Sequence, residues 1–377
     1  MIKEAISKLV KNQDLSESEM IGVMNEIMTG AASPGQIGAF ITALRIKGET
    51  VDEITGAAKV MREKATKIEV KGRNVVDTCG TGGDEAMTFN ISTAAAFVAA
   101  GVGLTVAKHG NRSVSSKSGS ADVLKALGVN IEAEVQKVEE CLMEVGIGFL
   151  FAPMLHGAMK YAAPVRREIG IRTIFNILGP LTNPAGARCQ VIGVYDDSLT
   201  DILGKVLANL GAEHAFVVRG TDGLDEITLT TETKVTELKD GNLRTYHIKP
   251  EDFGFKRCMP EDLKGGMPEQ NAEIILSILK GKKGPQRDIV LLNAAFAIVA
   301  GKMANSIKEG ISIARGAVDG GAALEKWWQK SWRADSTNLR RSEMPLALRV
   351  TPVVTSQDRR PSALIVTQPR RVAVRHI

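Results

Sequence analysis

Hydrophobic residues recur every three or four positions through the first 70 residues, the spacing that places them on one face of an α-helix. Three segments there open with Ser or Thr and carry Glu or Gln three positions later, the capping box that begins a helix. They lie at residues 16–19, 33–36 and 50–53. No strand-like alternation interrupts this pattern, so residues 1–70 are predicted to form a small all-helical lobe.

From residue 75 the pattern changes to short apolar runs that alternate with amphipathic helical segments. The apolar runs predict strands at residues 75–77, 104–107, 148–151, 190–194 and 215–218. The segments between them predict helices at residues 91–100, 121–127, 135–144 and 199–210. This alternation is typical of a mostly parallel sheet with helices on both faces.

The rest of the chain completes this picture. Residues 232–268 are polar and rich in turn residues, which predicts short antiparallel strands at an edge of the sheet. Residues 269–324 return to helical spacing. We therefore expect an α/β fold in which the small all-helical lobe accompanies a larger α/β lobe over residues 71–326, with a mostly parallel central sheet.

Residues 155–183 resemble helix rather than sheet. Part of this segment is expected to return to the helical lobe and to bring Arg166, Arg167 and Arg172 to the cleft between the lobes. A helical lobe of this size with so many apolar faces could bury some of them against a second copy of the chain. We therefore expect a homodimer.

The composition changes after residue 326. Arginine makes up 9 of the last 51 residues against 13 of the first 326, all three tryptophans fall within six residues, and no periodicity is sustained. We interpret residues 327–377 as a disordered tail and a candidate for sequence foreign to the native protein, from read-through, a frameshift or a vector. The alternative is a basic arm that binds nucleic acid through stacking tryptophans.

The tail also carries the basic excess of the chain. The formal net charge is +5, but residues 327–377 hold 10 of the 48 Lys and Arg and 3 of the 43 Asp and Glu. The first 326 residues carry 38 basic and 40 acidic groups, a net of −2, so no nucleic-acid partner is expected for them. No apolar run reaches the roughly 18 residues of a membrane span, and the N-terminus does not read as a signal peptide. We expect no membrane association and a cytoplasmic location.

The four cysteines are widely spaced, without a CxxC pair or a Cys/His cluster: Cys79, Cys141, Cys189 and Cys258. This spacing argues against a disulfide framework and against a zinc site. Cys79 lies in a glycine-rich loop where a nucleophilic thiol must be considered, but no His stands nearby in sequence to activate it. We interpret Cys79 as a small residue that lines the loop.

A first candidate site follows the first predicted strand. Three glycines, Gly80, Gly82 and Gly83, precede Asp84 and let backbone N–H groups converge on an anion without interference from side chains. The Walker A and Rossmann glycine patterns are both absent. A tight turn would explain the glycines alone, but Asn90 then opens a helix, whose free N–H groups and dipole favour phosphate.

A second candidate loop, at residues 108–116, follows the next predicted strand. It offers two cations, Lys108 and Arg112, together with three hydroxyls, an amide and backbone donors, which suit an anion. An ordinary solvated loop is the alternative, but it does not explain why both strand ends carry this chemistry. His109 is a weak candidate for a general base, and we interpret it as a hydrogen-bonding residue that shapes the loop.

Two adjacent carboxylates, Asp225 and Glu226, follow a third predicted strand. Such a pair is usually surface charge, but Mg²⁺ prefers one or two carboxylates with phosphate oxygens and water. Loops at the carboxyl ends of neighbouring parallel strands are where α/β proteins bind ligands. The three loops together predict a site for a magnesium-bound substrate that carries several phosphate oxygens.

Five motifs occur in order along the chain: VVDTCGTGGD, FNIST, AKHGNRSVSSKSGSADVLKALG, RTIFNILGPLTNPA and GLDE. In order and spacing they resemble the anthranilate phosphoribosyltransferase family of tryptophan biosynthesis, over about residues 1–326. The resemblance implies a fold of the nucleoside phosphorylase/phosphoribosyltransferase type, a homodimer through the helical lobe, and Mg²⁺ as cofactor. The implied reaction joins anthranilate to 5-phosphoribosyl 1-pyrophosphate (PRPP) and gives N-(5-phosphoribosyl)anthranilate and pyrophosphate.

The resemblance also assigns roles to individual positions. Those implied to hold or close over PRPP are Gly80, Gly83, Asp84, Thr88, Asn90, Ile91, Ser92, Thr93, Lys108, His109, Gly110, Asn111, Arg112, Ser113, Val114, Ser115, Ser116 and Ser120. Those implied to bind anthranilate are Gly80, Asn111 and Arg166. Those implied to bind the metal are Ser92, Asp225 and Glu226. Arg166 would offer its two-pronged guanidinium to the carboxylate of anthranilate.

The implied chemistry needs electrostatic help rather than a side-chain base. Pyrophosphate leaves as a charged group, so the site must neutralise charge while the C1–O bond breaks; backbone donors, Lys108, Arg112 and Mg²⁺ suit this work. We expect an oxocarbenium-like ribosyl centre, attacked by the weakly basic amine of anthranilate, with positioning dominant.

Two alternatives are weighed against this function. A pyrimidine nucleoside phosphorylase of related fold would take phosphate and a nucleoside, but the KHGNRS and GSAD motifs with Asn111 and Arg166 favour anthranilate. A catalytically silent relative that binds nucleic acid is disfavoured by the net charge of the first 326 residues.

Overall fold

The structure, a computed structural model, describes residues 1–84, 86–113 and 117–329. The predicted tail beyond residue 329 and three residues of the second loop therefore lie outside the described residues; these three are Val114, Ser115 and Ser116. Within the described ranges, none of the helices combines the length and the apolar character that crossing a lipid bilayer requires.

Four helices form the N-terminal lobe: α1 (Ile2–Leu9), α2 (Glu17–Met28), α3 (Pro34–Lys47) and α4 (Val51–Lys64). The three predicted capping boxes all form, because Ser16, Ser33 and Thr50 each accept a hydrogen bond from the backbone N–H three residues on. α2 packs along α4, and α1 packs along α3. The apolar faces therefore meet inside this helical lobe.

The second lobe alternates strands and helices. Its strands are β1 (Val75–Asp77), β2 (Thr105–Gly110), β3 (Ile147–Phe151), β4 (Cys189–Gly193), β5 (His214–Gly220), β6 (Thr233–Lys239) and β7 (Asn242–Ile248). Its helices are α5 (Ile91–Gly101), α6 (Ser120–Ala126), α7 (Val135–Glu144), α8 (Ala152–Leu155), α9 (Ala163–Ile169), α10 (Ile174–Leu178), α11 (Leu199–Asn209), α12 (Pro268–Leu279), α13 (Pro285–Ala300), α14 (Ile307–Asp319) and α15 (Ala322–Trp328).

Among the described residues, the seven strands join one sheet in the order β3-β2-β1-β4-β5-β6-β7. The pairings among β1 to β5 are parallel, and β6 and β7 are added antiparallel at the edge. The predicted fold class, a helical lobe beside an α/β lobe with a mostly parallel sheet, is confirmed.

The second strand is longer than predicted. β2 runs to Gly110, whereas the apolar run predicted its end at residue 107. Lys108, His109 and Gly110 are polar or small, but each pairs with a residue of β3. The ladder with β3, rather than hydropathy, therefore sets the end of the strand, and three residues assigned to the second loop belong to β2.

The last helix also extends past a predicted boundary. The disordered tail was expected to begin at residue 327, but α15 continues through Trp328. Trp327 donates its ring N–H to the carbonyl of Leu127 at 2.9 Å, and Lys326 Nζ donates to the carbonyl of Val145 at 2.6 Å. These bonds join the end of α15 to the residues that follow α6 and α7.

One hydrophobic cluster spans both lobes. It contains buried residues of the helical lobe, such as Met24, Phe40 and Leu44, together with Ile192 of β4 and Leu203 of α11. α9 and α10 join it from the segment between β3 and β4, since α9 packs on α3 and α10 packs on α3 and α4. The helical lobe thus shares its hydrophobic core with the part of the α/β lobe that carries β4 and α11.

Candidate active site

The glycine loop after β1 lies where the strand order of the sheet diverges, because β1 pairs with β2 on one side and β4 on the other. Open α/β sheets bind ligands in the crevice at such a point. The N–H of Thr81 donates to Gly193 O at 2.8 Å, and the N–H of Gly82 donates to Asp225 Oδ2 at 2.9 Å. Gly82 and Gly83 have φ angles of +66° and +80°, which favour glycine.

Gly193 gives a prediction on stability. A Cβ on this residue would lie 1.5 Å from Asp225 O, so the backbone must shift to accept any side chain. We expect G193A to lower the free energy of unfolding by about 3 kcal/mol or more. The matched control is G316A on α14, where a Cβ meets nothing within 4 Å and alanine should stabilise by about 0.5–1 kcal/mol. Urea denaturation measures both, and similar effects of the two substitutions would contradict the prediction.

The first turn of α5 is hydrogen-bonded to a carboxylate from another loop. Glu226 Oε1 accepts the N–H of Ser92 at 3.0 Å. The side-chain amide of Asn90 is engaged within the fold, because its Nδ2 donates to Ser118 O at 3.0 Å and its Oδ1 accepts from Asn271 Nδ2 at 3.0 Å. Asn271 was missed in the sequence, since it lies 181 residues away in a helix whose pattern indicates only packing.

Lys108 places a buried cation beside the glycine loop. Its side chain donates from Nζ to Thr78 O at 2.9 Å, to Thr78 Oγ1 at 3.3 Å and to Ser92 Oγ at 3.4 Å. The residue is only 3% exposed. The three oxygens hold the ammonium in place at the end of β2.

The next residue, His109, bonds elsewhere. Its Nδ1 lies 3.0 Å from Gly179 O, and its Nε2 lies 3.2 Å from Nε2 of His156. A carbonyl only accepts, so Nδ1 of His109 carries the proton and Nε2 of His156 donates to His109. Burial lowers the pKa of His109 to about 3 and that of His156 to about 4. Both rings are therefore neutral at neutral pH.

These neutral histidines predict a pH dependence of stability. An unfolded histidine takes up a proton near pH 6.5, whereas folded His156 stays neutral to about pH 4. Its contribution is thus fully present above pH 6.5 and is lost as the pH falls toward 4. Between pH 6.5 and 4.5 the free energy of unfolding should fall less steeply in H156Q than in the wild type, by up to about 1.4 kcal/mol per pH unit. Urea denaturation at three pH values tests this, with H247Q on exposed β7 as control. An unchanged slope in H156Q would contradict it.

Asp77 is a buried carboxylate that the sequence analysis did not single out. Its Oδ1 accepts the N–H of His109 at 3.1 Å, and its Oδ2 accepts from Asn183 Nδ2 at 2.7 Å. Asn183 also donates to Ala107 O at 2.8 Å. Burial raises the pKa of Asp77 to about 6, although the charge of Lys108 opposes the shift. Asp77 therefore joins β1, β2 and the segment before β4 under the site.

Asp84, Asp225 and Glu226 bring negative charge together next to the glycine loop. Burial and repulsion from the other two carboxylates raise the pKa of Asp225 well above its ordinary value. Burial raises the pKa of Glu226 to about 7, opposed by the charge of Lys108. The cluster thus has more negative charge than its surroundings neutralise, and hard carboxylate oxygens of this kind suit Mg²⁺.

The same residues set a limit on how a metal would be held. Across residues 1–84, 86–113 and 117–329, no three His, Cys, Asp or Glu side chains are arranged to hold a metal ion by themselves. A magnesium ion at Asp225, Glu226 and the hydroxyl of Ser92 would take its remaining ligands from water and substrate, as Mg²⁺ often does. The donor set fits the ion on these terms.

The second loop is braced on its own helix. Arg112 lies 3.4 Å from both Asp122 and Glu132, and its guanidinium lies 5.6 Å from the centre of the Phe151 ring. An incoming anion would therefore compete with two carboxylates for Arg112. Further bonds join Asn111 O to Ser120 Oγ at 3.3 Å and Ser113 N to Asp122 Oδ2 at 3.1 Å.

The other predicted site residues differ in their burial and in their contacts. Thr88 pairs its backbone with Lys264, and the side chains of Ile91 and Thr93 are buried in α5. A Cβ on Gly110 would lie 2.2 Å from Ser120 Oγ, which explains the glycine there. Arg166 of α9 lies over the ring of Phe175 at 5.3 Å, and burial lowers its pKa.

Comparisons with known proteins agree with this fold and site. A family described as "Glycosyl transferase family, helical bundle domain" matches residues 3–65, and one described as "Glycosyl transferase family, a/b domain" matches residues 72–324. These matches define the class of protein as a glycosyl transferase with a helical bundle and an α/β domain.

Individual relatives narrow the class. The anthranilate phosphoribosyltransferase of Acetivibrio thermocellus is 60% identical over 326 residues, which cover 86% of this chain and 94% of the relative. That of Alkaliphilus metalliredigens is 58% identical over 326 residues, which cover 86% of this chain and 96% of the relative. The chain belongs to the anthranilate phosphoribosyltransferase family, and the resemblance read from its motifs is confirmed.

Solved structures show the same similarity. The crystal structure of anthranilate phosphoribosyltransferase from Thermus thermophilus superposes with a TM-score of 0.82 at 44% identity, over 86% of this chain and 97% of that one. The enzyme of Saccharomyces cerevisiae in complex with PRPP and Mg superposes with a TM-score of 0.78 at 28% identity, over 87% of this chain and 96% of that one.

Proposed function

We propose that this chain transfers the phosphoribosyl group of PRPP to the amine of anthranilate, giving N-(5-phosphoribosyl)anthranilate and pyrophosphate, as a step of tryptophan biosynthesis. One observation carries the proposal. Where the strand order diverges, the Gly82 and Ser92 N–H groups donate to the Asp225 and Glu226 carboxylates, and the Lys108 ammonium donates to the Ser92 hydroxyl. The ammonium would bind phosphate oxygens, and the two carboxylates would bind a metal ion.

These residues would act mainly through charge. As the C1–O bond of PRPP breaks, negative charge grows on pyrophosphate, and the fixed Lys108 ammonium would stabilise it. Asp225, Glu226 and Ser92 would hold Mg²⁺, which would add to the neutralisation of the phosphate oxygens. The amine of anthranilate then forms the C1–N bond and releases a proton to water.

A dedicated side-chain base is not part of the proposal. His109, the histidine in the motif, has both ring nitrogens engaged, with Gly179 O and with His156. It is therefore bonded as a part of the fold rather than poised to take a proton. We propose that Arg166 and Asn111 orient anthranilate and that orientation, more than proton transfer, accelerates the reaction.

We also propose that residues 1–70 and 71–326 act as two lobes, that the protein is a cytoplasmic homodimer, and that the dimer forms through the helical lobe. Exposed apolar side chains on that lobe support the dimer: Met1 is 58%, Val10 is 68% and Ile46 is 81% exposed. Light scattering after size exclusion tests it, since replacement of Val10 and Ile46 by Ser and Lys should shift a dimer toward monomer. A wild-type chain that elutes as a monomer would contradict it.

The function is tested by the fluorescence of anthranilate. We expect the full chain to decrease the fluorescence of anthranilate, by consuming it, only when PRPP and Mg²⁺ are both present. Mass spectrometry should find one pyrophosphate per product. A parallel reaction with uridine or thymidine and inorganic phosphate tests the pyrimidine nucleoside phosphorylase alternative. Release of free base there, without quenching of anthranilate, would overturn the proposal. Salt-dependent DNA binding without either activity would support the silent relative.

A further inference from the structure

Arg172 bonds the glycine loop one peptide group away from the bond to Asp225. It lies in the short segment between α9 and α10, and its guanidinium donates to Gly83 O. The same guanidinium lies over the ring of Tyr195 at 4.6 Å. A planar cation stacked on an aromatic ring is attracted to it and restricted in direction. Tyr195 thus fixes the Arg172 fork where it reaches the loop.

The glycine loop needs such external restraint. Gly82 and Gly83 are consecutive residues with positive φ and no side chains to pack, and glycine loses more conformational freedom on ordering than other residues. Asp225 accepts the N–H of Gly82, and Arg172 donates to the C=O of Gly83. The two peptide groups are therefore fixed by an anion at one end and a cation at the other.

The bond to Gly83 also sets the direction of a backbone donor. Because the peptide group is planar and trans, a C=O that points toward Arg172 turns the N–H of Asp84 the opposite way. An anion-binding loop depends on the direction of its N–H groups. Loss of Arg172 would free this peptide group to rotate.

The contacts close into a ring. The N–H of Tyr195 donates to Thr81 Oγ1 at 3.1 Å, so the residue that supports Arg172 also bonds the loop at its other end. Tyr195 is 8% exposed and belongs to the hydrophobic cluster that spans both lobes. The next residue after Arg172, Thr173, occupies the N-cap position of α10, which packs on α3 and α4. Arg172 thus extends from elements packed on the helical lobe.

We propose that Arg172 is a positioning residue that fixes the Gly82–Asp84 loop for PRPP, and that it does so from the segment that follows α9, the helix of Arg166. This inference rests on the proposed function, which makes PRPP the ligand of the loop. Arg172 acts through the Gly83 peptide, so its loss should weaken PRPP binding while leaving the fold and the affinity for the acceptor largely intact.

The first test compares R172Q, R172K and the wild type by calorimetric titration with PRPP and Mg²⁺, and by kcat and KM for both substrates. We expect R172Q to weaken PRPP binding roughly ten- to a hundredfold, the range of a lost charge-assisted hydrogen bond. R172K keeps a donor but not the planar stack, so it should recover part of the loss. The KM for anthranilate at saturating PRPP should stay within about threefold of wild type.

Two control variants isolate the positioning. R167Q removes an equal charge from an exposed arginine of α9 and should leave PRPP binding within about twofold of wild type. Y195F keeps the ring under Arg172 and should behave like wild type, whereas Y195L removes it and should weaken PRPP binding in the same direction as R172Q. PRPP binding by R172Q within twofold of wild type would overturn the proposal. So would a loss confined to the KM for anthranilate, which would assign Arg172 to the acceptor.

A second measurement does not depend on activity. Amide hydrogen exchange of the segment from Cys79 to Asp84 should be faster in R172Q than in wild type and unchanged in R167Q, with no PRPP present. If the wild type fails to convert anthranilate, the proposed function falls while the exchange result still decides whether Arg172 fixes the loop. Unchanged exchange in R172Q would overturn the inference even in an active enzyme.

Discussion

K108M should lower kcat/KM for PRPP by roughly a hundred- to a thousandfold, the effect of removing one fixed group that stabilises a developing anion. The Lys108 ammonium is buried and held by Thr78 and Ser92, so its position needs no reorganisation when pyrophosphate leaves. Lys108 is only 3% exposed, so in K108M water cannot freely enter the position and replace the lost charge. The loss should fall on kcat as much as on KM, because the charge is needed most in the transition state.

The fold should survive this substitution. Methionine has a similar length and suits a buried site, and removing a buried cation lifts the cost of desolvating it. The expected penalty is the loss of a donor to Thr78 O, about 1 kcal/mol, together with the loss of the attraction that Lys108 gives to buried Asp77 and Glu226, whose pKa values should rise further. Steady-state kinetics and urea denaturation measure the two effects separately. K125M, an exposed lysine on α6, is the control. K108M with kcat/KM within tenfold of wild type would contradict the electrostatic role.

D225N and E226Q should each lower both the apparent affinity for Mg²⁺ and the catalytic activity. Each substitution removes one of the buried carboxylates whose mutual repulsion raises the pKa of Asp225. We expect the Mg²⁺ concentration for half-maximal rate to rise at least about ten- to a hundredfold, and kcat/KM at saturating Mg²⁺ to fall by a similar factor or more. The amide oxygens can still accept the N–H groups of Gly82 and Ser92, so the loop itself should persist.

The matching control is E261Q, which removes an exposed carboxylate. Titration of the rate with MgCl₂ at fixed PRPP gives both constants. Calorimetry adds a check on the fold of the apoprotein, since removing one of several repelling carboxylates should leave the melting temperature unchanged or raise it. A wild-type response to Mg²⁺ in both variants would remove Asp225 and Glu226 from the metal site.

The sequence predicted elements wherever one local pattern was decisive. The capping boxes at Ser16, Ser33 and Thr50 gave the helix starts because a cap is a contact between residues three apart. β1 and α7 have the predicted bounds. β2 does not, because its last three residues are ordered by the ladder to β3, which hydropathy does not reveal.

The site was predictable in its motifs and not in its supports. The loops at the strand ends could be read from residue type, since glycine, lysine and paired carboxylates have characteristic chemistry. The partners that orient them are distant in the chain: Asn183 on Asp77 across 106 residues, Asn271 on Asn90 across 181, and Arg172 on Gly83 across 89. Arg172 and Asn183 lie in the RTIFNILGPLTNPA motif, but no local pattern identifies the distant group that each side chain bonds.

Arg112 is a motif residue whose chemistry could be predicted but whose neighbours could not. Its motif indicates a cation available to phosphate, yet it lies near Asp122 and Glu132 at 3.4 Å. Residue type gave the chemistry of the side chain but could not give its competitors, which depend on how α6 folds back on the loop. The role of Arg112 in binding PRPP stays a prediction.

The hydrophobic cluster that spans both lobes has a consequence for modularity. Met24, Phe40 and Leu44 lie in the same cluster as Ile192 and Leu203, so neither lobe keeps its apolar surface covered when cut from the other. A fragment limited to the helical bundle should therefore be a poor autonomous folding unit. A bundle grafted from another glycosyl transferase should function only if its side chains match those of the α/β lobe in this cluster, so the two lobes are expected to evolve as a matched pair.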